Sequence, residues 1–299
     1  MGWGELTALM TAVVWAISSQ INGSIGRRVG AVSVSLLRMP FQTLFLALAC
    51  GVAGGGASFG PQPVVFIFLS GLTGVTLGDL LLYKAIVILG TRAGILLQSL
   101  STSCTALFGL LFLGEPLTLQ LATGIFLATM GVGIAVTAGL ERSTPPGQPP
   151  LTRREIRRGI CFGLAGAAFL ALSFITLRAG MQGDMDPYWG AFLRALLGGG
   201  LLWLAGLPGH WSQAAVRSCR ASPFIALLLC LSCLLGALGM WGACESMRLI
   251  PAGIAATIMG LQPVWVIVTA SLWERSLPSL RIVLGAGVAF GGTALVCLR

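Results

Sequence analysis

The sequence predicts an all-α integral membrane protein whose ten transmembrane helices form two inverted five-helix repeats. Three observations predict it. Apolar residues make up 56% of the 299 and charged residues only 9%, against about a quarter charged in a soluble domain, so lipid must be the solvent for surface that no soluble core would bury. Ten apolar segments reach the roughly 20 residues that cross a hydrocarbon core. Motifs of the first five segments recur, in order, in the second five.

The segments fall near 5–25, 32–53, 63–83, 92–113, 119–140, 159–179, 188–207, 223–247, 251–272 and 280–298. Gly, Pro, Arg and polar clusters separate them. Arg27 and Arg28 follow the first, a glycine run with Pro61 and Pro63 the second, Lys84, Gly90 and Arg92 the third, and Gly114–Glu115–Pro116 the fourth. After the fifth comes ERSTPPGQPPLTRREIRR, Glu141–Arg158, Pro-rich at its start and charged at its end. It reads as a linker between residues 1–140 and 159–299. Asp184–Pro187, the stretch 208–222, Pro251 and Glu274–Pro278 mark the later breaks. No basic region precedes the first apolar run, so a cleaved signal peptide fits poorly.

The halves are related in sequence. LLRMPFQTLFLA, around Arg38, resembles AFLRALLGGGLLWLA, around Arg194. GILLQSLSTSCTALFGLLFLGEPLT overlays GIAATIMGLQPVWVIVTASLWERSLP, with Gly94 on Gly253 and Glu115 on Glu274. Gly124 and Gly131 repeat their spacing as Gly285 and Gly292. Five spans per half insert the second half upside down relative to the first. Many secondary transporters follow this plan, with the substrate site near the midplane between the halves.

These motifs, with Trp15 in the first span, LGDLLLYKAI, GTRAGILLQSLS, FLGEPLT and the later LGMWGACESMRLIPAGIAATIMGLQPVWVI, are similar to those of EamA-type members of the drug/metabolite transporter superfamily. The resemblance covers essentially the whole chain and is best over Leu69–Thr118 and Leu235–Glu274. It implies a ten-helix carrier around a central cavity lined by spans one, three, four, six, eight and nine, exporting small metabolites or drugs. The family often has a proline midway along the fourth span of each half. Pro263 supplies it in the second half, whereas Cys104 holds that position in the first, so a helix break is expected on one side only.

Of the 18 Lys and Arg residues, Arg38 and Arg194 lie inside spans, thirteen flank the spans on the linker side and three, Arg178, Arg248 and Arg299, flank them on the side of the termini. The positive-inside rule puts the linker in the cytoplasm and both termini outside. The resemblance implies cytoplasmic termini instead. Labelling of the Glu141–Arg158 linker in intact cells decides between them: labelling from outside overturns the charge-based orientation. Either way the expected location is the cell membrane, as a multi-pass protein.

Asp79 is the unusual residue. An acid at the centre of a membrane helix costs about 2.5 to 3.5 kcal/mol. Asp79 sits about five residues inside the end of its expected span, roughly 7 Å at 1.5 Å per residue, too deep for a short carboxylate to reach water. Lys84 is different, since its stem can snorkel to the interface. Asp79 and Tyr83 share a face at i and i+4. Either that face lines a wet cavity, where Asp79 binds a cationic group or a coupled proton, or Asp79 is held by an arginine or by backbone donors of a neighbouring helix.

Trp241, Glu245 and Arg248 share a face of the eighth span, with Glu245 at the repeat position of Lys84. Trp241 is either a packing residue or a cavity wall that stacks on an aromatic or cationic solute. Glu245 either faces the cavity or forms an interfacial ion pair with Arg248. Arg38 and Arg194 are candidates for anion contact or for clamping a neighbouring helix, because a permanently charged guanidinium with five donors needs acceptors. Gln98 and Thr102 share a face in the polar fourth span. Thr257, Gln262, Pro263 and Trp265 answer it in the ninth, where Pro263 frees the Met259 carbonyl. Trp15, Ser19 and Asn22 continue the pattern in the first span. The cavity candidates are therefore Trp15, Ser19, Asp79, Tyr83, Gln98, Thr102, Trp241, Glu245, Gln262 and Trp265. Gly74–Gly78, Gly159–Gly163 and Gly287–Gly291 have the spacing that lets membrane helices approach closely. Glu115 and Glu274 read as interfacial markers.

Other functions find no constellation. The formal charge of +9 is spread through short gaps between apolar runs rather than on one polar face, which argues against nucleic acid. There is no HExxH motif and His210 is the only histidine, so neither metal nor triad chemistry has partners. No metal site and no cofactor is expected. Cys230 and Cys233 form a CxxC inside LLLCLSCLLG and read as packing residues. Asp79 is the only aspartate within a span, whereas aspartyl intramembrane proteolysis needs two carboxylates. No GxxxxGK[ST] loop exists for ATP, and no ring of like charges for a channel filter. What remains is a secondary carrier, as a monomer or homodimer in contact with membrane lipid, and the resemblance implies that it exports small organic solutes. The alternative is a flippase for lipid or lipid-linked phosphate, with Arg38 and Arg194 on the phosphate.

Overall fold

A computed structural model describes the chain apart from residues 1, 30, 54–58, 90, 115–117, 141–151, 207–222, 274–278 and 298–299. Glu115, Glu274, His210, Cys219 and most of the linker thus lie outside the described residues. The regular structure is helical: α1 (Trp3–Val29), α2 (Ala31–Ala53), α3 (61–89), α4 (Thr91–Leu113), α5 (Leu119–Leu140), α6 (Arg153–Met181), α7 (Pro187–Gly206), α8 (Pro223–Leu249), α9 (Ala252–Met259 and Gln262–Trp273) and α10 (Leu280–Cys297). Stretches within α1, α2, α3, α6 and α8 are by themselves long and apolar enough to cross a bilayer. The faces segregate as lipid demands. On α2, Phe41, Leu44, Leu48 and Val52 point outward while Leu36, Met39 and Leu46 are buried.

Two elements, α6 and α3, run well beyond their expected spans. α6 starts six residues ahead of its expected span. Thr152 is its N-cap: its Oγ accepts the Glu155 N–H at 3.3 Å and the Glu155 carboxylate accepts the Thr152 N–H at 2.9 Å, a reciprocal capping box. The charged end of the linker is therefore wound into helix. Thr152→Ala is expected to fray this turn, with exchange of the amides of residues 153–158 accelerated roughly fivefold in hydrogen-exchange mass spectrometry and residues 163–181 unaffected.

α3 runs past Lys84 to Leu89 and contains a π-helical stretch, Gly71–Gly78, whose wider turn ends with the Asp79 N–H donating to the Gly74 carbonyl. Here α3 touches α7 backbone to backbone. A Cβ at Gly198 would stand 2.6 Å from the Gly71 carbonyl oxygen, and one at Gly71 would stand 2.9 Å from that of Arg194. α9 breaks at Gly260–Leu261, just before Pro263, whereas α4, which holds Cys104, is continuous. The glycine pairs also divide. Gly74, Gly78, Gly159 and Gly163 face close neighbours, but Gly287 and Gly291 face open space and are not a helix contact.

The helices pack chiefly across the two halves. α1 lies along α8 and α9, and its counterpart α6 lies along α3 and α4; α2 meets α7, α4 meets α9 and α5 meets α10. Each contact either maps onto another or onto itself when the halves exchange, as two repeats related by a pseudo-two-fold axis require.

Candidate functional site

α2 and α3 bring Arg38 to Asp79. Arg38 Nη2 donates to Asp79 Oδ2 at 2.9 Å, and Nη1 lies 3.4 Å from the Tyr83 hydroxyl. The side chains of Arg38 and Asp79 are 13% and 26% exposed. Asp79 and Tyr83 follow the π-helical stretch, so they keep α-helical i, i+4 spacing and face the same guanidinium. Of the two readings left open for Asp79, the structure places it on an arginine.

A second arginine approaches from the other half. Arg194 of α7 is 3% exposed, and its Nη2 donates to Ser173 Oγ of α6 at 2.8 Å. Its guanidinium lies over Gly74, where a Cβ would stand 2.9 Å from Nη2 and collide with Ser173 Oγ. Asp79 is close enough for its charge to be felt by both arginines. One carboxylate between two guanidinium groups leaves the centre net positive, inside a bundle where an isolated ion is costly. The Nε atoms of both arginines are buried and without acceptors.

Serine pairs flank this centre. Ser70 of α3 and Ser173 of α6 each donate to the other's carbonyl, at 2.8 and 2.9 Å. In the equivalent place, Ser18 of α1 donates to the Ser232 carbonyl of α8 at 3.1 Å, and Ser232 Oγ bonds Asn22 at 2.5 Å. Sequence reasoning passed over both clasps. The available signal was repeat spacing: Ser18 precedes Arg38 by 20 residues and Ser173 precedes Arg194 by 21.

The remaining candidates lie elsewhere. Trp241 stacks on Tyr188 at the start of α7, ring centres 5.5 Å apart, and its indole N–H is buried without an acceptor. Glu245 pairs with Arg248 at 2.9 Å and accepts the Trp3 indole N–H at 3.1 Å. Nearby, Arg178 donates to the Met247 and Arg248 carbonyls, tying α6 to the end of α8. These contacts gather at the helix ends on the side of the termini. Thr102 lines a small cavity with Thr129 of α5 and Thr257, Gly260 and Leu261 at the α9 break. Trp265 meets Phe290 edge-on, 5.8 Å between centres. Trp15 packs on Gly239, and Ser19 donates to its own helix at Ala16. Gln98 and Gln262 are half-buried on α4 and α9. Lys84 is exposed, its ammonium 5.5 Å from the Phe162 ring centre. Among the described residues, no group of three His, Cys, Asp or Glu side chains is placed to hold a metal.

Comparison with known proteins joins this geometry to a family. No curated protein is detectably similar in sequence. A solved crystal structure, 15% identical, superposes with a TM-score of 0.75 over 99% of this chain and 96% of its own, and shares the fold. The EamA-like transporter family matches residues 2–137 and again 157–298, one match to each half. With its apolar helices and both family repeats, this chain is a multi-pass membrane protein and belongs to the EamA-like transporter family, within the drug/metabolite transporter superfamily.

Proposed function

We propose that the chain is a secondary active carrier that exports small organic solutes across the cell membrane by alternating access. The charge centre is the observation that carries this reading. Arg38 and Asp79 belong to the first half, Arg194 and Ser173 to the second, and all four converge where α2, α3, α6 and α7 cross. Any rocking of one half against the other changes the distance between Asp79 and Arg194. A solute or a proton that changes the charge of this centre therefore biases the two arrangements. The Trp3–Glu245–Arg248 contact and the Arg178 bonds to α8 lie together on the side of the termini and are read as its closed gate. In this reading it opens in the alternate arrangement, and the arginine-rich linker side faces the cytoplasm.

The test is untargeted mass spectrometry of the medium from cells expressing the wild type or Asp79→Asn at matched levels. A compound enriched by the wild type and lost in the variant is the expected result. A compound exported equally by both keeps the carrier reading and removes Asp79 from the transport path. If neither differs from cells lacking the protein, export is rejected.

A further inference from the structure

We propose that the carried solute bears an anionic oxygen group, a carboxylate or a phosphate, and that Arg194 is its receptor. This rests on the carrier reading and narrows it to a substrate class.

The repeat supplies the argument. Overlaying LGDLLLYK on LGMWGACE puts Asp79 on Met240, Tyr83 on Cys244 and Lys84 on Glu245. Arg38 and Arg194 are likewise equivalent, as are the α2–α3 and α7–α8 contacts that flank them. Tyr83 lies 3.4 Å from Arg38, and its counterpart Cys244 is fully buried on α8. In the first half the acid at the next position completes an ion pair of 2.9 Å. In the second half that position is Met240, a buried thioether without charge.

Arg194 is thus the repeat of a paired arginine with its counter-ion deleted. Among the described residues it has no carboxylate within ion-pair distance, and its only hydrogen bond goes to a neutral hydroxyl, Ser173 Oγ. Its Nε has no acceptor. Asp79 spends its ion pair and hydrogen bond on Arg38 and makes neither to Arg194. A guanidinium presents a planar fork matched to two oxygens of a carboxylate or phosphate, so an arriving anion takes the role that Asp79 has in the first half, with the flexible Met240 side chain moving aside. A neutral oxygen gains a hydrogen bond there but no charge pairing, and a cation is repelled.

The experiment uses the full chain in phosphatidylcholine nanodiscs and reads the thermal midpoint, which rises with any ligand that binds only the folded state. Benzoate, indole-3-acetate and inorganic phosphate are compared at equal ionic strength with benzamide, indole-3-acetamide and chloride. The expected result is a rise of several degrees with at least one oxyanion and none with its control. Arg194→Gln removes the rise. Met240→Asp keeps Arg194 but gives it the counter-ion of the first half, and also removes the rise. This second variant guards against misfolding of the first. No rise with any oxyanion, an equal rise with its control, or a rise that survives Met240→Asp overturns the proposal. A rise only on adding phosphatidylglycerol, lost in Met240→Asp, overturns the small solute in favour of a lipid headgroup. Failure of the carrier reading looks different: oxyanion binding with the expected variant pattern, but no flux of that anion from loaded proteoliposomes.

Discussion

Asp79→Ala is expected to lower stability by about 3 kcal/mol and to abolish export, while Arg38→Met with Asp79→Leu recovers most of the stability and none of the export. Removing one partner leaves Arg38 with only the Tyr83 hydroxyl at 3.4 Å, with no other carboxylate in ion-pair reach among the described residues. The value sits at the low end of the range for buried pairs because Asp79 is about a quarter exposed. Replacing both partners removes the pair and its desolvation cost together, so apolar side chains of similar volume restore the balance. Thermal unfolding of purified protein reads the first quantity and export of the compound found by mass spectrometry reads the second. A double variant as unstable as Asp79→Ala would show that the pair itself, rather than the stranded arginine, sets the energy. A double variant that exports would remove the pair from transport.

Gly131→Ala is expected to destabilise by about 3 kcal/mol, the top of the range for overpacking a close contact. A Cβ there meets the Ala289 amide nitrogen and stands 2.6 Å from the Gly285 carbonyl oxygen, both on α10. These are backbone atoms, with no flexible side-chain end to move aside, so α5 and α10 must part along their length. Gly292 makes the reciprocal contact: a Cβ there meets the Ala128 nitrogen and stands 2.7 Å from the Gly124 oxygen. Once one substitution has separated the helices the other has room, so the two together cost less than their sum. Gly287→Ala is the control. It faces open space, and the gain in helix propensity makes it neutral or stabilising by up to about 1 kcal/mol. A Gly131→Ala protein that melts with the wild type would mean that α5 and α10 already stand further apart.

Much of this was legible in the sequence because membrane helices announce themselves by length and apolarity. The ten spans lie within a few residues of the helices, and the shared face of Asp79 and Tyr83 follows from spacing alone. The partner of Asp79 was not legible. Arg38 is 41 residues away, and no local rule says which of two equivalent arginines reaches an acid from a neighbouring helix. The π-helical stretch at Gly71–Gly78 was hidden too, since its three glycines carry no side chains to mark a shift of phase. Thr152 and Glu155 show the opposite error. Their S/T-x-x-E pattern is a capping signal, but the Pro-rich composition before it carried the whole segment into the linker. The candidates drawn from polarity alone scattered: Glu245 and Trp241 sit with Trp3 and Tyr188, and Thr102 at the α9 break, away from Asp79. Polar residues mark helix contacts as readily as solute contacts.

The ribosome delivers α1–α5 before any of the helices they chiefly pack against exist. α3 and α4 wait for α6, α2 for α7 and α1 for α8, and α5, with its glycine face, waits for α10, the last of the ten to be made. Helices insert first and associate afterwards, so the half-synthesised chain sits in the bilayer with only its weaker within-half contacts available. A chain stopped anywhere before Leu280 would leave the seam along Gly124, Ala128 and Gly131 facing lipid, whatever else had formed correctly. For membrane quality control, that bare stripe is the mark separating an unfinished molecule from a finished one.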